Sequence, residues 1–152
     1  MVGYEHRQHA RVLRVLLLWA AVAAVLLAFV VPVPPATLFL VAAILAGCAV
    51  GFSSLTIQVT DRSLVWCFGP GLFRKAVPLA EISAAEVTRT RWLDGWGIHL
   101  TRRGWLYNVW GFDAVLVTRA NGKSFLLGTD EPERLRLAIL EGAQAARPPG
   151  QW

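Results

Sequence analysis

Any chemistry this chain performs has to come from few side chains. His99 is the sole histidine beyond residue 9, and it stands between Ile98 and Leu100. No nucleophile and orienting acid stand at a recognisable spacing from it, which general base catalysis would need. Asn108 and Asp113 lie near Gly104 and Gly111, where side-chain to backbone turn bonds account for them. Gly128-Thr129-Asp130 reads as a helix cap, because Asp130, Glu131 and Glu133 already supply the negative charge that a helix N-terminus attracts. Cys48 and Cys67 form no C-x-x-C and no pairing pattern, so neither a disulfide framework nor a zinc site is expected. Phosphate-loop, dinucleotide, zincin and nucleophile-elbow motifs are missing from the sequence. The expectation is a non-enzymatic protein with no catalytic residue, no metal and no cofactor.

Binding is better represented than catalysis. The 19 residues from Trp92 to Trp110 hold four of the seven tryptophans, together with Tyr107 and several arginines. Trp and Tyr join an apolar ring to a polar N–H or O–H, and Arg adds attraction to anionic groups. A partner-binding or lipid-binding surface is therefore expected at Arg91, Trp92, Trp96, Arg102, Arg103, Trp105, Tyr107 and Trp110. Trp96, Trp105 and Tyr107 also suit the core of a small β domain, and both placements stay open on the sequence. The net charge of +5 suits an anionic surface but is too small to argue for nucleic acid.

The elements that must position these residues fall into two parts. From Val15 to Thr60 there is no Asp, Glu, Lys, Arg or His, a stretch of 46 residues in a chain that is 16% charged. Pro32-Val33-Pro34-Pro35 breaks this stretch, since prolines this dense cannot continue a helix. The two halves read as a transmembrane helical hairpin over 15–52 with its turn at 32–35, preceded by a basic tail over 1–14. Three arginines precede it and Arg62, Arg74 and Lys75 follow it, which places both ends in the cytoplasm of a multi-pass inner-membrane protein. Small residues recur every fourth position at Ala20, Ala24 and Ala28 and at Ala43, Gly47 and Gly51, and are the expected helix contact faces.

After Ser53 the pattern changes to short alternating segments divided by turn residues, the signature of antiparallel β structure. Seven strands are predicted, around 55–60, 64–68, 73–77, 83–90, 97–101, 114–119 and 124–128, leaving 102–113 as a loop. Asn121-Gly122 is expected to close the last hairpin as a type I′ turn. A helix follows Asp130, and the domain is bounded as 53–146 with a loose tail over 147–152.

The runs Gly95-Trp96-Gly97-Ile98-His99-Leu100-Thr101, Gly104-Trp105-Leu106-Tyr107-Asn108-Val109 and Gly128-Thr129-Asp130-Glu131-Pro132 resemble the motifs of bacterial membrane-anchored proteins with a pleckstrin-homology-like domain of unassigned molecular function. The resemblance covers 55–140 and implies a PH-like seven-stranded barrel capped by a C-terminal helix. It implies a membrane-anchored binding or scaffolding module, with a protein partner or an anionic lipid surface as ligand. The loop Asp61-Arg62-Ser63 carries one Arg only, so a phosphoinositide site of the usual kind is not expected. The alternative is an accessory subunit of a membrane complex that assembles through its hairpin.

Overall fold

Alternation from Leu55 onward builds β2 (Ser54–Thr60), with Leu55, Ile57 and Val59 buried and the residues between them only partly so. The computed structural model describes residues 2–91 and 97–146. β2 is the second strand of an antiparallel sheet in the order β1 (Val2–His9), β2, β3 (Ser63–Phe68) and β4 (Leu72–Pro78). A short 3-10 turn at Leu79–Glu81 leads to the second sheet. Its order is β5 (Ile82–Arg89), β8 (Asp113–Arg119), β9 (Ser124–Gly128), β7 (Gly104–Asn108) and β6 (Gly97–Thr101). All its pairs are antiparallel except β7 with β9, which run parallel.

One core joins the layers: Leu55, Ile57 and Trp66 from the first sheet meet Val115, Val117 and Leu127 from the second. The helix α3 (Pro132–Ala146) lays Leu135, Ile139 and Ala143 on this core and rests against β1, β2, β5 and β8. Gly142 allows the close approach, since a Cβ there would lie 2.8 Å from Leu79 Cδ1.

The hairpin is an excursion between paired strands. β1 ends at His9, opposite Ser54 of β2, and between them run α1 (Arg11–Leu27) and α2 (Pro35–Gly51). The Ala10 N–H donates to the Ser53 carbonyl at 2.9 Å and closes the neck. At the base, Phe52 stacks on Phe73 with ring centroids 5.9 Å apart. Gly69 takes φ 49°, and a Cβ there would lie 2.6 Å from the Gly51 carbonyl oxygen. The α1–α2 seam is Ala21, Ala24 and Ala42, with Val25 and Leu45 packed on it.

Several expectations are corrected. No helix among the described residues is long and apolar enough to cross a membrane, which overturns the transmembrane hairpin and, with it, the multi-pass inner-membrane location. α1 stops at Leu27, where bonds of the tighter i to i+3 type run into the prolines. It also begins at Arg11 and contains Arg14, so its uncharged part, Val15 to Leu27, covers only about 20 Å against a hydrocarbon core of about 30 Å. α2, at 17 residues, reaches about 26 Å.

The PH-like seven-stranded antiparallel barrel is likewise replaced by an α+β fold of nine strands in two sheets and three helices among the described residues. β1 lies in the segment expected to be a basic tail, and β7 lies in the segment expected to be a loop. Trp92, Trp96 and the tail over 147–152 lie outside the described residues. The turn between β8 and β9 is also different: Gly122 alone has positive φ, at 78°, and Asn121 instead accepts a bond from the Lys123 N–H at 3.0 Å. This is a type I turn followed by a left-handed glycine, not type I′.

Candidate functional site

A cleft of about 840 Å³ opens between the two sheets. One wall is β4, through Lys75, Ala76 and Val77, backed by Trp66 of β3. The other is made by two turns of the second sheet: Arg102 and Arg103 between β6 and β7, and Gly122 and Lys123 between β8 and β9. The parallel register pairs Trp105 with Phe125, which sets these two turns side by side. Gly104 makes the approach possible: it has φ 116°, and a Cβ there would sit 2.0 Å from the Ser124 carbonyl oxygen.

The floor is aromatic. Trp66 stacks on Phe125 with centroids 4.9 Å apart and leans on Tyr107 at 5.2 Å. Trp66 is 2% exposed, and its indole N–H has no hydrogen-bond partner among the described residues. Trp105, also in the lining, is half exposed. The rim is cationic: Lys75, Arg102, Arg103, Arg119 and Lys123 line the cleft, and among the described residues no Asp, Glu, His or Cys does.

Three of these cations are held in place. The Lys75 ammonium donates to the Tyr107 hydroxyl at 2.8 Å and lies 5.2 Å from the centre of its ring. Arg103 donates to the Thr88 hydroxyl at 2.8 Å. Arg119 pairs with Glu81, the only carboxylate paired with any of the five among the described residues. The local positive potential thus exceeds what a net charge of +5 spread over the chain would give.

Of the surface expected from the sequence, the structure brings Arg102, Arg103, Trp105 and Tyr107 into one cleft. Arg91 and Trp110 are exposed and lie outside that lining. The Trp110 N–H donates to the Asn108 side chain within the turn at 3.0 Å, and its carbonyl accepts from the Gln8 side chain of β1 at 3.1 Å. Among the small residues, Ala24, Ala28 and Gly51 are buried, whereas Ala20, Ala43 and Gly47 face outward. His99 is exposed on β6. Just ahead of α3 the Thr129 hydroxyl accepts from the Glu131 N–H at 3.1 Å, while Asp130 reaches His6 of β1 at 2.5 Å.

Sequence reasoning missed Trp66, Lys75, Arg119, Lys123 and Phe125. They come from four strands and a turn, and only the cross-sheet geometry unites them. Asn121-Gly122 was the one signal, since it puts Lys123 at a hairpin tip. Among the described residues no group of three or more His, Cys, Asp or Glu could hold a metal ion. Compared with protein-family models, curated proteins and solved structures, the chain matches none.

Proposed function

We propose that the chain is a non-enzymatic binding module whose site is the cationic cleft and whose ligand is an acidic surface of a partner protein. The observation that carries this reading is the lining itself, with five cations and no carboxylate around an aromatic floor. Like charges held together at this density favour a polyanion, and the aromatic floor gives its apolar portion something to pack on.

Polyglutamate titrated into the full chain, with tryptophan emission as readout, tests this, because Trp66 and Trp105 both line the cleft. The emission should change with saturation at low salt and weaken as salt rises. The double variant Arg103→Glu, Lys123→Glu should bind at least tenfold more weakly, at about 1 kcal/mol per charge removed and more for reversal. Equal affinity in the double variant would refute the site. Anionic vesicles, compared with neutral ones, form the second arm. A response to vesicles alone would assign the cleft to lipid headgroups instead.

A second reading rests on the hairpin. Leu16, Trp19, Phe29, Leu40 and Ile44 are all exposed on an uncharged surface, and apolar surface of this kind marks a contact region. In that reading the chain is an accessory subunit whose hairpin assembles with another polypeptide. A partner retained by the native chain and lost from Leu16→Glu, Leu40→Glu would favour it. Retention by both would exclude the hairpin.

A further inference from the structure

The β4 wall of the cleft bears on what fills it. Successive residues of a strand point to opposite faces of its sheet, so a cleft facing a sheet is lined by alternate residues. Here Lys75, Ala76 and Val77 line the cleft consecutively. Main-chain atoms as well as side chains of β4 therefore face the cleft. Among the described residues β4 is the last strand of its sheet, bonded to β3 on one side and to no other strand. The cleft therefore runs along a row of main-chain N–H and C=O groups that have no strand partner.

Exposed edges of this kind are normally short, covered or guarded by charge. β4 is seven residues long, exposed along most of its length, and guarded by Arg74 and Lys75. Those cations discourage pairing with a second copy of the same basic edge. They favour pairing with an acidic strand. Arg102, Arg103 and Lys123 stand across the cleft, where they would meet the outer side chains of such a strand.

Resting on the cationic-cleft reading above, we propose that the acidic ligand is an extended peptide segment that adds to β4 as a further antiparallel or parallel strand. Its main chain bonds the β4 edge along Lys75 to Val77, and its carboxylates, on the face turned to the second sheet, meet Arg102, Arg103 and Lys123. Strand addition of this type takes affinity from main-chain bonds and selectivity from alternate side chains.

The test uses the full chain and the capped octapeptide (Val-Glu)4, with two relatives N-methylated at every Val or at every Glu. Each methylated peptide keeps all its charges and loses the N–H groups of one edge. The parent should bind, and one methylated form should bind at least tenfold more weakly while the other keeps its affinity. The Arg103→Glu variant should weaken the parent at least tenfold as well.

Equal affinity of both methylated peptides, or equal loss in both, would overturn strand addition. The cationic-cleft reading would survive equal affinity if Arg103→Glu still weakened the parent. If neither the peptide nor polyglutamate bound, the cleft reading itself would fall, and strand addition with it.

Discussion

Arg103 and Lys123 sit 20 residues apart in the chain yet on one rim, because Gly104 lets the start of β7 approach β9. A Cβ at Gly104 would overlap the Ser124 carbonyl oxygen, and φ 116° is strained for any L side chain. Gly104→Ala is expected to cost on the order of 3 kcal/mol, seen as a lower denaturation midpoint at unchanged slope. A midpoint within error of the native one would mean that the rim does not depend on this approach. Residue identity alone announced only half of the site. Arg102, Arg103, Trp105 and Tyr107 were legible because they cluster along the chain, whereas Lys75 and Arg119 acquire their meaning from strands that meet across the cleft.

At the scale of elements, β1 shows why some pieces could not be read from the sequence. Its residues, Gly3-Tyr4-Glu5-His6-Arg7-Gln8, alternate no apolar face and look like a polar tail. Pairing with β2 makes the strand, and His6 meeting Asp130 and Glu131 ties it to the start of α3. β7 was hidden for the opposite reason, since Trp105, Leu106 and Tyr107 are all apolar or aromatic and give no period of two. The small-residue stripes placed Ala24 and Ala28 in the buried part of the hairpin but not Ala21 and Ala42, because spacing of four does not say which of two adjacent rows faces the partner helix.

Tyr4 gives β1 a measurable signature. Burial first, then the Glu131 carboxylate, push its hydroxyl up from the ordinary 10.0 to about 12. The folded chain keeps a proton that the unfolded chain releases. The resulting stability is complete below pH 10 and is lost as the pH rises from 10 to 12. Tyr4→Phe keeps the ring and removes the titration, so its stability should fall less steeply over that window. Parallel curves for the two proteins would show that β1 does not hold Tyr4 against α3.

Taken as a whole molecule, the chain separates an uncharged helical excursion from a charged cleft. The two are linked at the Phe52–Phe73 stack and at the contact of Gly69 with the end of α2. The composition made the hairpin plain, since 46 residues without Asp, Glu, Lys, Arg or His need an apolar setting. Its length did not suffice for the setting first expected, because prolines and Arg14 shorten the helical apolar run. The hairpin leaves large exposed side chains such as Trp19 and Phe29, so association through it is expected to rise with protein concentration and to fall in Leu16→Glu, Leu40→Glu. Light scattering across a concentration series measures this.

A ligand seated in the cationic cleft must perturb the residues that line it. The most direct measurement is mapping of amide shifts in the isotope-labelled full chain on addition of polyglutamate. The largest shifts are expected at 75–77, 102–107 and 119–125, the segments that line the cleft. Shifts confined to Arg7, Arg11 and Arg14 near the hairpin base, or no shifts at all, would contradict a ligand seated there.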